Sequence, residues 1–317
     1  MRAGKILFAL FVISKFSLGQ CPEYDLQPPH LSDVVVKSSV TQDPASKIFT
    51  FKYSITNGVL STGCIDRFEM NIIAPVGGIE LSNVGLVDYP RYVDRGTLQF
   101  DPSLGIIPVG IPKLPRYTGF SSAWWAGFSI DGRVDWGSAL EEYKIEPGGT
   151  IDSIIMTSHG IPGLRSFVIS PSYNPKLPYE TTPANEDSIR RFVPEPTDEE
   201  EAAFQRLLDS IKVRGVTIGP TAPPANFVPL AFLDTLMSYK HQAFALGWIK
   251  NQGIVTSLDA KLDNAKAQLR RNNKTAAKNM LQAFINEVEA LNKGGGQITS
   301  EAYALLKFNA EYLISKL

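Results

Sequence analysis

The fold of the first half of this chain is decided by the stretch FTFKYSIT, residues 49–56. Its apolar and polar side chains alternate, the period of two that is typical of a strand with one buried face. Asn57-Gly58 follows and predicts a turn. A second run alternates over residues 68–74 and ends at Pro75. We therefore expect two strands that pair with each other, the first with Phe49, Phe51, Tyr53 and Ile55 on its buried face.

Further short strands are predicted on either side of this pair, over residues 33–40, 81–87, 124–130, 151–157 and 167–170. Turns rich in glycine, proline and aspartate separate them, and no helical pattern interrupts them. This arrangement favours an antiparallel β-sandwich. Residues 104–117 contain Pro108, Pro112 and Pro115. Because proline cannot donate to a ladder, this segment is expected to leave the sandwich as a long excursion.

The first nineteen residues have the pattern of a secretory signal peptide. Arg2 and Lys5 precede an apolar run over residues 6–13, and small residues stand before the expected cleavage site at Gly19. The apolar run is too short to span a bilayer. We therefore expect a secreted, extracytoplasmic protein whose mature chain begins at Gln20.

Two cysteines, Cys21 and Cys64, follow the leader. In an oxidising compartment they are expected to form a disulfide. It would close a loop of about forty residues and stabilise the fold by ~3–4 kcal/mol. Lipidation of Cys21 is the alternative, and Gln20 stands where a lipid-attachment signal requires a small residue.

The second half of the chain has helical periodicity. Thr197 and Glu200 form a predicted capping box after a proline-rich stretch over residues 171–196. Another proline-rich joint, residues 219–229, precedes helical patterns that continue to the C terminus. The fold class predicted is α+β multidomain. Its parts are a signal peptide over residues 1–19, a β-sandwich over 20–171, a connector with one helix over 172–228 and a three- to four-helix module over 229–317.

The C-terminal helices carry a set of motifs that resembles a known family. The matching segments are GIVTSL at 253–258, KLDNA at 261–265, LQAFINEVEAL at 281–291 and GQIT at 296–299. From about residue 252 onward, the chain resembles the FIMAH domain, a small helical module that recurs at the ends of exported bacterial proteins. The resemblance implies an extracellular accessory module and brings no catalytic residue with it.

Charge is distributed unevenly along the chain. Residues 250–317 contain ten Lys and Arg against six Asp and Glu, an excess of four positive charges. A solvated helical surface explains this excess; so does docking on an anionic polysaccharide or on the acidic front domain. No basic stripe is interleaved with aromatic residues and no zinc-finger spacing occurs, so a nucleic-acid partner is not expected.

The sequence predicts no catalytic residue, no metal ion and no cofactor. The three histidines, His30, His159 and His241, lack metal-ligand spacing. Ser158 and His159 are adjacent at the end of a predicted strand and would point to opposite faces, which argues against a serine-hydrolase triad. A carbohydrate-active hydrolase stays open as an alternative because several acids cluster near the tryptophans: Asp131, Asp135, Glu141, Glu142 and Glu146.

Three tryptophans, Trp124, Trp125 and Trp136, are the predicted binding residues. Neighbours in a strand face opposite ways, so if either Trp124 or Trp125 is in the core, the other points outward or lies under a loop. An exposed indole stacks on sugar rings or packs at a protein interface.

We therefore expect a non-catalytic binding or structural protein that recognises an extracellular glycan or a surface protein. No stable membrane insertion is expected after leader cleavage, and the sequence leaves the oligomeric state open. A purely architectural surface component is a further alternative.

Overall fold

Two antiparallel β-sheets and a bundle of helices form the α+β fold expected from the sequence. The computed structural model describes residues 21, 27–72, 104–109, 111–112, 122–128, 133–138, 140–173, 197–294 and 296–317. The predicted signal peptide and the strand predicted over 81–87 lie outside these residues. In the described part of the chain, no helix is long and apolar enough to cross a membrane.

Ten strands are described, and they are numbered in chain order. They are β1 (Val35–Gln42), β2 (Phe49–Thr56), β3 (Ile65–Asn71), β4 (Ile107–Val109), β5 (Ile111–Pro112), β6 (Ser122–Phe128), β7 (Arg133–Gly137), β8 (Thr150–Ser158), β9 (Ile161–Pro171) and β10 (Val213–Thr221). One sheet has the order β1-β2-β8-β4, and the other has the order β10-β9-β3-β7-β6-β5.

The two sheets pack face to face through the side chains that the alternating pattern predicts. Tyr53 of β2 is fully buried, and its ring contacts Phe68 of β3 and Trp136 of β7 at centroid distances of 5.5 and 6.1 Å. Its hydroxyl donates a hydrogen bond of 2.9 Å to the carbonyl oxygen of Ile218 in β10. Phe51 and Ile55 are buried on the same side of β2. The prediction that this face of β2 is buried is confirmed.

The expected pairing of β2 with β3 is wrong, because the two strands lie in opposite sheets. The connection crosses between the sheets instead of turning back. The Asn57 side chain holds this crossing by donating hydrogen bonds of 2.9 Å to the carbonyls of Gly63 and Ile145. The predicted disulfide is present next to it, with the Cα atoms of Cys21 and Cys64 5.6 Å apart.

Most of the strands that the alternating pattern did not predict lie at the edges of the sheets. The proline-rich segment after residue 104 forms β4 and β5, each at the edge of a different sheet. The expectation that this segment leaves the sandwich is therefore wrong for these residues, although none of them lies in a central strand. No strand was predicted over residues 213–221, where β10 forms an edge of the six-stranded sheet beside β9. Its glycines and proline are typical of a linker, but an edge strand tolerates both residue types.

Five helices are described after the main run of strands, and they are numbered in chain order. They are α1 (Asp198–Ser210), α2 (Pro229–Ala245), α3 (Gln252–Arg270), α4 (Lys274–Lys293) and α5 (Ser300–Lys316). The predicted capping box of α1 is present, with the Thr197 hydroxyl accepting from the Glu200 backbone and the Glu200 carboxylate accepting in return. Helices α2 to α5 pack together as a four-helix module.

Helix α5 joins the module to the sandwich by packing against β1 and β9. Its Glu301 carboxylate accepts a 2.5 Å hydrogen bond from the backbone N–H of Ser38, and its Asn309 amide donates one of 2.8 Å to the Pro162 carbonyl. The ring of Phe308 meets Phe49 edge to face with centroids 5.2 Å apart. A single apolar core therefore runs from the sandwich into the helices.

Candidate functional site

The three tryptophans predicted to bind a ligand occupy different environments. Trp124 is buried, and its indole N–H donates a 2.7 Å hydrogen bond to the Tyr143 carbonyl. Trp136 is buried and stacks on Phe68 with centroids 5.5 Å apart. Trp125 is 38% exposed. The opposite orientation predicted for Trp124 and Trp125 is confirmed, and Trp125 is the member of the three that can meet a ligand at the surface.

Strand register places Trp125 on the outer face of the six-stranded sheet. It lies opposite Gly137 of β7, which in turn lies opposite Arg67 of β3. Gly137 gives the indole room, since a Cβ atom there would lie 2.8 Å from the ring carbon Cζ2 of Trp125. The Arg67 guanidinium lies 5.5 Å from the centre of the same ring, within the range of a cation–π interaction. The absence of a side chain at Gly137 therefore leaves space for the indole, and the Arg67 guanidinium lies over its ring.

Two carboxylates lie in the next row of the same face. Asp135 of β7 and Glu69 of β3 are directly opposite each other in register. Like charges in this position destabilise a sheet unless they are compensated. Arg67 Nε lies 3.5 Å from Asp135 Oδ1, and Arg133 Nη1 lies 2.9 Å from Glu69 Oε1. Two cations thus balance the two anions, and we call these four residues together with Trp125 the Trp125 face.

An opening lies beside the indole on the same strand. A Cβ atom built at Gly127, two residues after Trp125, would meet no atom of the described chain within 4 Å. Gly127 is opposite Asp135 in register. The opening is thus flanked by an aromatic ring and by a charged row whose carboxylate side chains are only 5 and 6% exposed. Such a surface offers one apolar plane together with the partly exposed guanidinium of Arg67 as a hydrogen-bond donor.

The acids suggested for hydrolysis do not converge in the described structure. Asp135 belongs to the Trp125 face, Glu142 is exposed and Glu146 is half-buried. Asp131 and the side chain of Glu141 lie outside the described residues. Glu69, which does face Asp135, was missed by the sequence analysis. The polar positions of the alternating run of β3 were the signal that could have found it, because they share the outer face.

Other catalytic arrangements find no support among the described residues. The Ser158 hydroxyl donates a 2.5 Å hydrogen bond to the Leu104 carbonyl and accepts one of 3.0 Å from the Gly160 N–H. This serine therefore stabilises the local turn. Within the described ranges, no group of three or more His, Cys, Asp or Glu side chains is placed to hold a metal ion.

Comparison with known proteins identifies the helical module and leaves the sandwich without a named relative. A search among curated proteins finds no match to the chain. A family match covers residues 235–315, so it begins within α2, earlier than the boundary near residue 252 expected from the sequence. It covers most of α2 and all of α3 and α4, and it ends within the last turn of α5. The C-terminal region of this chain, residues 235–315, matches the FIMAH domain family.

Proposed function

We propose that this protein is an extracytoplasmic binding protein whose β-sandwich recognises carbohydrate through the Trp125 face. The observation that carries the proposal is the exposed indole of Trp125, held over Gly137 and under Arg67 beside the opening at Gly127. Because the ring is already positioned, little side-chain entropy would be lost when a ligand binds.

The chemistry of the face matches that of a sugar ring. One side of a pyranose is a plane of C–H groups that packs on an aromatic ring, while its hydroxyls need donors and acceptors. Trp125 provides the plane. Arg67, whose side chain is about half exposed, provides a donor next to it, and the buried Asp135 holds that guanidinium through a 3.5 Å ion pair.

The disulfide and the FIMAH domain support an extracytoplasmic location for this function. Disulfides persist in oxidising compartments, and Cys21 and Cys64 are bonded here. The FIMAH domain would serve as an accessory module, held in a fixed position by the contacts of α5 with β1 and β9.

Carbohydrate hydrolysis is a second candidate, and one observation favours it. Side chains directly opposite on antiparallel strands have Cβ atoms about 4.5–5.5 Å apart, which is close to the carboxyl separation of about 5–5.5 Å in retaining glycosidases. Glu69 and Asp135 are such a pair. Both are already bonded to arginines and are almost fully buried, so a substrate would have to displace those arginines. We therefore place hydrolysis second.

The test is glycan binding by the purified protein and by Trp125→Ala. We expect the wild type to bind a neutral oligosaccharide on an array of glycans, and calorimetry to show that Trp125→Ala loses about 2 kcal/mol or more, roughly thirtyfold in Kd. Phe204→Ala is the matched control, because Phe204 on α1 is also an exposed aromatic residue, at 40%.

Equal affinity of Trp125→Ala and the wild type would contradict the proposal. So would the absence of any glycan ligand, which would leave recognition of a surface protein or an architectural role. Release of sugar by the wild type, together with its loss in Glu69→Gln, would replace binding by hydrolysis.

A further inference from the structure

The turn between α3 and α4 carries a run of basic residues. Between Asp263 and Glu287 the chain contains no acidic residue and five basic ones. Lys266 forms an ion pair with Asp234 on α2. The other four form no ion pair with any residue of the described chain. We call these four the basic tip: Arg270, Arg271, Lys274 and Lys278.

The two lysines of the basic tip do not stabilise the helix that contains them. Lys274 and Lys278 are four residues apart in the first turns of α4, where like charges repel each other. The amino end of a helix also carries a positive partial charge, and the first turn of α4 contains no acidic residue to balance it. Positive charge at the start of α4 is therefore unfavourable for that helix, whereas Arg270 and Arg271 at the carboxyl end of α3 suit the dipole of theirs. The two lysines need another explanation.

The position of the tip leaves it open to a partner. Helices α3 and α4 pack against each other and against α2 and α5, whereas α5 makes the main contacts of the module with the strands. Arg270, Arg271 and Lys274 are exposed. None of the basic tip pairs with an acid of the described sandwich, so docking on the acidic front domain does not explain the charge.

We infer that the basic tip binds a linear anionic polysaccharide, at a site separate from the Trp125 face. Exposed amide and hydroxyl groups lie between the cations, on Asn272, Thr275 and Asn279, and they suit the hydroxyls of a sugar chain. Carboxylate or sulfate groups on the polymer would pair with the four cations.

A nucleic acid and an anionic membrane surface fit the tip less well. Residues 264–282 contain no aromatic side chain on which a nucleic-acid base could stack. The large apolar side chains exposed in the described structure lie elsewhere, so the tip has none to insert into a membrane surface.

Retention of the full chain on immobilised polysaccharides tests this inference. We expect binding to dextran sulfate and polygalacturonate, and none to uncharged dextran. Binding should disappear at 1 M salt, where the Debye length falls to about 3 Å. The double variant Arg271→Glu/Lys274→Glu should bind at least about tenfold more weakly. The matched control is Lys37→Glu/Lys52→Glu, which changes the net charge equally at exposed positions on the four-stranded sheet.

The melting temperature of the tip variant separates a binding role from a structural one. Reversing Lys274 places an acid in the first turn of α4, which is favourable, and reversing Arg271 places one at the carboxyl end of α3, which is unfavourable. The two effects oppose each other, so the variant should melt near the wild-type temperature. A lower melting temperature with unchanged binding would overturn the inference. Equal losses in the tip and control variants, or retention of the wild type only on anionic vesicles or DNA, would also overturn it.

The proposals for the Trp125 face and for the basic tip can be tested independently of each other. Trp125→Ala should keep its retention on the anionic polymers even where neutral glycans no longer bind. Loss of retention in Trp125→Ala would contradict a separate site at the tip.

Discussion

At the scale of single residues, glycines determine which neighbours can be large. Gly137 leaves room for the indole of Trp125, as described above. Gly215 in β10 does the same for Phe167, since a Cβ atom there would lie 2.5 Å from the ring carbon Cζ of that side chain. Gly127 differs, because its Cβ position meets nothing in the described chain within 4 Å. The same residue type is therefore required for packing at two positions and leaves space open at the third.

This contrast predicts opposite effects for the same substitution. Gly215→Ala should lower the free energy of unfolding by about 1–3 kcal/mol, because the new methyl group overpacks Phe167. Gly127→Ala should raise it by about 0.5–1 kcal/mol, because alanine loses less backbone entropy on folding. Urea denaturation of both variants measures the two changes. A loss of stability in Gly127→Ala as large as that in Gly215→Ala would show that the opening beside Trp125 is filled.

At the scale of elements, α5 holds the molecule together. Helix α4 has one buried stripe, as its periodicity predicts. Helix α5 is buried on several sides, including at Ala304, Leu305, Leu306 and Ala310, because it lies between the other helices and the sandwich. A helix that is apolar on most sides belongs inside a fold.

The contact of α5 with β1 predicts the effect of removing Glu301. Its carboxylate satisfies the buried N–H of Ser38, so Glu301→Ala should destabilise the protein by about 1–3 kcal/mol. Glu311→Ala is the control in the same helix, since Glu311 pairs with Lys307 near the surface and its loss should cost about 0.3–0.5 kcal/mol. Chemical denaturation measures both. Equal effects of the two substitutions would contradict the docking role of Glu301.

Local patterns in the sequence predicted some elements and missed others for physical reasons. Apolar and polar residues alternate clearly in strands β1, β2 and β8, so these strands could be predicted. The capping box of α1 could be predicted too, because it is a local signal. The pairing of β2 with β3 was wrong because sheet membership depends on contacts far apart in the sequence. Strand β10 was missed because glycine and proline are also typical of loops. Only its position at a sheet edge shows that this segment is a strand and not a loop.

At the scale of the whole molecule, the sandwich and the helical module present two different surfaces. The Trp125 face lies on the outer side of the six-stranded sheet, and the basic tip lies at the turn between α3 and α4. Trp125 could be predicted from the sequence because a pair of adjacent tryptophans in a strand must face opposite ways. Its neighbours Arg67 and Glu69 could not, since cross-strand register brings them to Asp135 from a distant part of the chain.

The measurement that tests the central claim most directly is a titration of Gly127→Val with a neutral glycan that binds the wild type. Valine suits a strand, and its Cβ atom would meet no described atom within 4 Å at this position, so we expect the fold to be retained while the opening beside Trp125 is filled. We expect an unchanged or higher melting temperature and an affinity at least about tenfold weaker. Wild-type affinity in folded Gly127→Val would contradict carbohydrate recognition by the Trp125 face.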